Sequence, residues 1–410
     1  MQKQQLDPIK PVYLEISRYQ NFWVKTLIKV LSKIEFGQIS LVLPDGTSHL
    51  ITGTKHNEPK AIFRLRSAAT ARRLLVGGTI GLAESYMDGE WDSPSLVELL
   101  EIGARNENAI GSDIAGAILM RLINYMRHLA RPNTKRGSRR NIQYHYDLGN
   151  TFYAPWLDSS MTYSSALFTD PAQSLSEAQN EKYRRLAESL ALRSDHHVLE
   201  IGCGWGGFAA YAAQEIGCRV TALTISQEQF SFAKRRIKQL GLDDKVGIRL
   251  QDYRDIEGTY DRIASIEMFE AVGEQQWPLF FKIVRSRLKP NGKAALQIIS
   301  IEDDRFDTYR RHPDFIQRYI FPGGMLPSPR VLRELIKDAG LNLQDEFTFG
   351  TSYAKTLALW QQRFQKSWPD LIGLGFDHRF KRMWEYYLAY CESGFNADAV
   401  DVGHYLLTRD

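Results

Sequence analysis

The segment Val198-Leu199-Glu200-Ile201-Gly202-Cys203-Gly204-Trp205-Gly206-Gly207-Phe208 constrains the fold of this chain more than any other. A short apolar run leads into four glycines within six residues, and a helix-compatible stretch follows. That order reads as a buried strand, a tight turn and a helix start. Gly202 and Gly204 let the backbone turn sharply and let a ligand approach the main chain. The alternation then continues. Strands are expected at Arg219–Leu223, Val246–Leu250, Arg262–Ile266 and Lys293–Ile301. Helices are expected at Ala209–Glu215, Ser226–Leu240 and Trp277–Leu288. Strand and helix in turn with short loops predict a parallel, doubly wound α/β sheet.

Gly202, Gly204 and Gly207 satisfy the spacing of a dinucleotide loop, which alone is weak evidence for one. Two details separate the possibilities. Glu200 sits two residues before the first glycine. A pyrophosphate would be repelled there, whereas a cationic amino-acid ligand tolerates the carboxylate. The second strand ends Ala222-Leu223-Thr224, without the acid that a dinucleotide ribose wants. The Glu-x-Gly-x-Gly form resembles the first motif of S-adenosylmethionine (SAM)-dependent methyltransferases, which implies SAM as the cofactor.

The chain has 410 residues, more than one ordinary core accommodates. Residues 12–35 read as helix, Gln38 to Phe63 as strands around a Pro44-Asp45-Gly46 turn, and Ser67–Leu75 and Ser95–Leu129 as helix. Residues 1–130 are therefore expected to form a small α+β domain, 131–140 a basic linker, and 141–410 the α/β domain. Seven basic residues and no acid lie between Arg121 and Arg140. They suit a solvated hinge, or a strip meeting anionic lipid head groups, with Leu122, Ile123, Tyr125 and Met126 as the apolar side of an interfacial helix.

Composition narrows the classes further. With 43% hydrophobic and 24% charged residues the chain is globular. A net charge of +4 is too small for a dedicated nucleic-acid binder. Cys203, Cys218 and Cys391 lack metal or disulfide spacing, so no metal site and a reducing cytoplasm are expected. The first residues lack a signal-peptide core, and no run of about 18 apolar residues occurs.

Several ordered segments go beyond a generic methyltransferase. They include Tyr144-His145-Tyr146-Asp147-Leu148-Gly149-Asn150, Met161-Thr162-Tyr163-Ser164-Ser165-Ala166, Gln251-Asp252-Tyr253-Arg254, Met268-Phe269-Glu270-Ala271-Val272-Gly273 and Phe321-Pro322-Gly323-Gly324. Together they resemble the cyclopropane-fatty-acyl-phospholipid synthases, including the mycolic acid cyclopropane synthases. The resemblance covers the chain from about Tyr144 onward, and residues before it look like the extra domain of the full-length bacterial synthases. It implies a cis double bond in a phospholipid acyl chain as substrate, peripheral contact with an anionic membrane from the cytoplasmic face, and, by analogy, a homodimer. It also implies cofactor contacts from Tyr163, Ser164, Glu200, Gly202, Gly204, Thr224, Ile225, Gln229, Asp252 and Tyr253.

An alkene attacking a sulfonium methyl leaves a carbocation, so the site needs π-faces or negative charge and a base. Deprotonating the new methyl closes a cyclopropane; deprotonating a neighbouring carbon leaves a methyl-branched alkene, and a hydride shift before loss of a methyl proton gives a methylene branch. In the family the base is thought to be bicarbonate held by a cysteine, a glutamate, a histidine, an isoleucine backbone and a tyrosine. The matching positions are Ser165, Glu270, Gln297, Ile299 and Tyr353, so serine stands for the cysteine and glutamine for the histidine. Either bicarbonate keeps a remodelled set of donors, or Glu270 is itself the base. Cys391 matches a cysteine proposed as catalytic in the family, although alkene methylation needs no thiolate. His145 reads as a structural group or as one that orders the cofactor lid. Phe321-Pro322-Gly323-Gly324 reads as a turn or as a shaper of the acyl tunnel. The competing functions are N-methylation of a small amine, as in alkaloid methyltransferases that share this architecture, and cofactor or lipid binding without turnover.

Overall fold

The computed structural model describes residues 22–114, 148–312 and 314–410. The basic stretch 121–140, the expected 130/140 domain boundary, His145 and its neighbours Tyr144 to Asp147 lie outside those residues. The N-terminal part opens with α1 (Phe22–Leu31), whose Val24, Leu27, Val30 and Leu31 are buried on one side. A hairpin follows, β1 (Phe36–Val42) and β2 (Ser48–Thr52), turning at Pro44-Asp45-Gly46 as the sequence indicates. Asp45 Oδ1 accepts from Thr47 N at 2.9 Å, which fixes the turn. β3 (His56–Leu65) runs parallel to β1 and pairs antiparallel with the short β4 (Trp91–Asp92), giving the order β2-β1-β3-β4. Between β3 and β4 lies α2 (Ala68–Met87), capped by Ser67 and kinked where Gly78 adopts φ +59°.

The single helix expected from Ser95 to Leu129 is broken. It becomes α3 (Leu96–Arg105) and α4 (Glu107–Ile114), with Asn106 between them. Asn106 is buried, and its side chain does four things at once. Its Oδ1 accepts from Glu35 N at 2.6 Å and Phe36 N at 3.1 Å; its Nδ2 donates to Phe36 O and Ile102 O. The amide thus completes both the end of α3 and the start of β1. Asn106→Ala strands two half-buried N–H groups and leaves a void at a buried position, and a loss of about 1–3 kcal/mol in urea-unfolding stability is expected.

The second part begins with α5 (Asn150–Tyr153) and α6 (Leu175–Ser189), the latter closed by a capping box between Ser174 and Glu177. Then come β5 (His197–Ile201), α7 (Gly207–Tyr211), β6 (Arg219–Thr224), α8 (Gln227–Gln239), β7 (Val246–Leu250) and β8 (Tyr260–Ile266). α9 (Trp277–Arg287), β9 (Leu288–Ile301), α10 (Asp303–Arg311), α11 (Pro329–Asp338) and β10 (Asn342–Thr348) follow. α12 (Gly350–Leu371), α13 (His378–Asn396) and β11 (Val400–Thr408) complete the chain. The strand order is β10-β11-β9-β8-β5-β6-β7, with β11 antiparallel to both neighbours. The expected doubly wound α/β sheet is therefore present, with each expected strand lying within an observed one.

Chain direction across the sheet reverses between β5 and β8: the chain winds outward from β5 to β7, then returns to lay β8 on the other side of β5. Ligands of open α/β sheets bind at the carboxyl ends of strands beside such a reversal. The glycine turn leaves β5 there, and Glu267 leaves β8 beside it.

One apolar core joins the two parts. It runs from Leu27, Leu41 and Leu99 to Phe152, Trp360 and Trp384 without interruption. Polar contacts line the seam: Arg382 donates to Tyr86 O at 2.5 Å and Trp91 O at 2.7 Å, and Tyr319 Oη donates to Glu84 at 2.6 Å.

Candidate active site

A cavity of about 960 Å³ opens at the carboxyl ends of β5, β6 and β8 and continues into the N-terminal part. Its polar end is the glycine turn. Gly202 and Gly204 have φ of +84° and +52°, a region costly for other residues. A Cβ on Gly204 would meet nothing within 4 Å, so that backbone faces open cavity. Glu200 is 2% exposed, and its Oε2 has no hydrogen-bond partner among the described residues. Burial pushes its carboxyl up to about 8, against Ala209 N–H and the charge of Lys182. An orphaned carboxyl oxygen beside bare backbone suits a ligand that brings hydroxyl or cationic groups, as SAM does.

The other expected cofactor residues also line this end. Thr224 Oγ1 donates to Gln229 Oε1 at 2.9 Å and accepts from Ser226 N at 3.1 Å, so the end of β6 and the start of α8 hold each other. Ile225 lies on the wall between them. Asp252 lines the cavity with its carboxylate forked on Arg254, at 2.8 Å to Nε and 2.7 Å to Nη2. The Tyr253 ring packs edge-on against Phe280 at 5.6 Å, so much of it serves the core. Ser164 Oγ accepts from the fully buried Lys182 Nζ at 2.7 Å. Tyr163 Oη pairs with Tyr387 Oη at 2.7 Å, and its ring lies 5.2 Å from Trp360 and 5.6 Å from Trp156. Among the described residues no cluster of His, Cys, Asp and Glu is placed to hold a metal ion.

The expected base site differs most. Ser165 and Gln297 are buried but do not line the cavity. Both turn toward Glu267, a residue that motif reasoning passed over. Glu267 Oε1 accepts from Ser165 N at 2.8 Å and Gln297 Nε2 at 2.7 Å; Oε2 accepts from Tyr353 Oη at 2.6 Å. The serine hydroxyl donates to Ala166 O at 2.8 Å and so does not point at the cavity. Glu270, by contrast, touches only the Ile299 N–H among these groups, Oε1 at 2.6 Å, and its Oε2 is buried with no partner among the described residues. Burial and then the charge of Glu267 push the Glu270 carboxyl up to about 8. Burial also raises Glu267, but Tyr353, Lys182, the Ser165 N–H and Gln297 all favour its anion. Three donors meet the Glu267 carboxylate against one on Glu270, an arrangement that favours the anion at Glu267 over Glu270.

One further residue supports Glu267 through Gln297. His404, opposite Gln297 across β9 and β11, contacts Gln297 Oε1 through Nε2 at 3.0 Å. That bond turns the Gln297 amide so that its NH₂ faces Glu267. Burial pushes His404 down to about 3, so its ring is neutral at ordinary pH. Glu267 itself sits at φ +49°, a left-handed backbone costing about 1–2 kcal/mol in a non-glycine residue. Cys391 lines the cavity, but burial and the carboxylates of Asp314 and Glu267 push its thiol up, which removes the thiolate. Two glutamates three residues apart just after a parallel strand were the sequence signal for this pair.

The mycolic acid cyclopropane synthetase family model matches residues 133–405. The chain belongs to this family. Tuberculostearic acid methyltransferase UfaA1 of Mycobacterium tuberculosis is 38% identical over 91% of this chain and 88% of its own length. The cyclopropane-fatty-acyl-phospholipid synthase of Escherichia coli strain K12 is 36% identical over 85% and 88% respectively. The crystal structure of mycolic acid cyclopropane synthase CmaA1 with SAH and CTAB superposes with a TM-score of 0.62 at 27% identity, covering 66% of this chain and 98% of that one. As a cyclopropane synthetase family member the chain is a SAM-dependent methyltransferase, and the glycine turn with Glu200 fits that cofactor.

Proposed function

We propose that the chain methylates a carbon of the double bond in an unsaturated fatty acyl chain of a phospholipid, through a carbocation that closes to a cyclopropane or becomes a methyl or methylene branch. The observation that carries this reading is the length of the cavity. It runs from the glycine turn past Glu267 and Glu270 and ends among Leu27, Leu31, Phe63, Leu74, Leu99 and Ile102 of the N-terminal part. A small amine, the alternative substrate, needs no such apolar extension; an acyl chain does.

SAM supplies an electrophilic methyl when bound. The protein's own groups do the rest. Glu200, Gly202, Gly204, Thr224, Ile225 and Gln229 would hold the donor, with Tyr163 and Ser164 over it. The cavity-lining rings of Tyr163, Tyr353 and Tyr387 offer π-faces to the cation, at about 0.5–2 kcal/mol each. Water is kept from the cation by the buried aromatic layer around Trp156, Trp360 and Trp384.

In this reading residues 1–130 provide the far end of the acyl channel and the lipid-docking surface, 131–140 the linker, and 141–410 the methyltransferase domain. The basic stretch 121–140 would meet anionic head groups, making the protein peripheral on the cytoplasmic face and, by family analogy, a homodimer. Among the described residues no helix is long and apolar enough to cross a membrane.

Incubation with methyl-labelled SAM and phospholipid vesicles tests the reading. Label is expected in the acyl chains of unsaturated lipids and in none of their saturated counterparts; label in an amine panel instead would overturn it. The channel is tested separately by Gly77→Trp. A Cβ at Gly77 has no neighbour within 4 Å, and the residue lines the N-terminal end of the cavity. Its kcat/KM for long-chain lipid is expected to fall at least about ten-fold, with SAM affinity unchanged.

A further inference from the structure

Bicarbonate is the base that family resemblance implies, and the residues present do not fit it. Three of its expected donors, the Ser165 N–H, the Gln297 amide and the Tyr353 hydroxyl, already end on the carboxylate of Glu267. Two of those residues lie behind Glu267 and have no access to the cavity, while Glu267 is on its wall. The remaining pair, the Ile299 N–H and Glu270, are bonded to each other. A second anion here would sit in a buried pocket beside Glu267, with its donors spent, and its desolvation would go uncompensated.

A carboxylate and bicarbonate share the same planar O–C–O fork. The protein has placed the fork on its own chain and surrounded it with the donors that the ion would use. We propose that the Glu267 carboxylate removes the proton from the carbocation, in place of bound bicarbonate. This rests on the double-bond methylation proposed above. The C–H bond of the new methyl, or of a neighbouring carbon, breaks. Its electron pair closes the ring or forms a C=C bond and cancels the positive charge, and the proton goes to a Glu267 oxygen. Oε2, with one hydrogen bond against two on Oε1, keeps the more available lone pair. The proton is lost to water after product departs. No oxidant or reductant is needed.

His404 and Gln297 are positioning residues in this scheme. They hold the carboxylate at the end of β8, and the left-handed backbone of Glu267 aims it out of the sheet into the cavity.

The experiment uses the full-length protein with unsaturated phospholipid vesicles and SAM. The wild type is expected to run at the same rate in carbon-dioxide-free buffer and with bicarbonate restored. Glu267→Gln is expected to lose about 10²- to 10⁴-fold in turnover with SAM affinity, measured by calorimetry, intact. Glu267→Gly empties the place of the carboxylate, and added bicarbonate or formate is expected to restore part of its activity. In Glu267→Gln the stranded cation has to lose its proton elsewhere, so the ratio of cyclopropane to branched olefinic chains is expected to change in the lipid mass spectrum. A merely structural glutamate would leave the product mixture unchanged. Glu270→Gln is expected to lose less than Glu267→Gln. A wild-type rate that falls on bicarbonate removal and recovers on its return would overturn the proposal while leaving the methylation reading standing. The reverse order of the two glutamine variants would do the same. A wild type that methylates no unsaturated lipid would overturn both.

Discussion

Trp384→Ala should cost about 3–5 kcal/mol of unfolding free energy, the range for truncating a large buried aromatic side chain. Trp384 is 1% exposed, and its ring meets Phe152 at 4.8 Å, Tyr387 at 5.2 Å, Phe380 at 5.7 Å and Trp156 at 5.9 Å. These neighbours come from α5, α13 and the turn after α5, so removing the indole opens a void where distant parts of the chain converge. Rings cannot shift to fill it without losing their edge-to-face contacts with one another. The effect should reach the site, since Tyr387 holds Tyr163 through their hydroxyls. Chemical denaturation of the full chain reads the loss. Leu374→Ala, at a side chain 51% exposed, is the comparison and should move stability by less than about 0.5 kcal/mol. Equal stability of the two variants would show that the aromatic layer is not packed as described.

The glycine turn yields the second large effect, and two neighbouring glycines separate stability from binding. Both adopt positive φ, so alanine at either costs about 1–2 kcal/mol in the backbone. At Gly202 the new Cβ would also lie 2.6 Å from Met268 Cγ and 2.9 Å from its Cβ. Because Met268 Cβ is fixed to its backbone, the β8 loop has to move, adding about 1–3 kcal/mol of overpacking. At Gly204 the Cβ meets only open cavity. Gly204→Ala should therefore lose at least about ten-fold in SAM affinity with a small change in melting temperature. Gly202→Ala should lose both affinity and several degrees of Tm. Calorimetric titration with SAM, beside thermal unfolding, distinguishes them; unchanged SAM affinity in Gly204→Ala would place the donor elsewhere.

Strand periodicity made the sheet legible because strands buried on both faces read as short apolar runs between turns. It located the 198–201, 219–223, 246–250, 262–266 and 293–301 strands, and each lies within an observed element. Helix ends were less legible. Asn106 divides a helix that pattern alone makes continuous, because its side-chain bonds to Glu35 and Phe36 arise only once β1 is beside it. At the site, motif spacing located Glu200, the glycines, Thr224, Gln229 and Tyr353 on one cavity. It did not point to Glu267, the carboxylate on which the Ser165 N–H and the Gln297 amide converge. Glu267 lies at none of the positions matched to the family's base site, so no one-for-one substitution pointed to it.

Local sequence determined the glycine turn, the strand–helix alternation and the family's order of motifs, since these depend on backbone freedom and on periodicities within a few residues. Tertiary structure alone decided which carboxylate of the site gathers the hydrogen-bond donors. Ser165, Glu267, Gln297, Tyr353 and His404 are spread over 240 positions of the chain. They meet only because the winding order sets β8 between β5 and β9, and β11 beside β9. Hydrogen bonds to a buried carboxylate act over about 3 Å, so which glutamate is better placed to keep its negative charge is set by that meeting and by nothing adjacent in the chain.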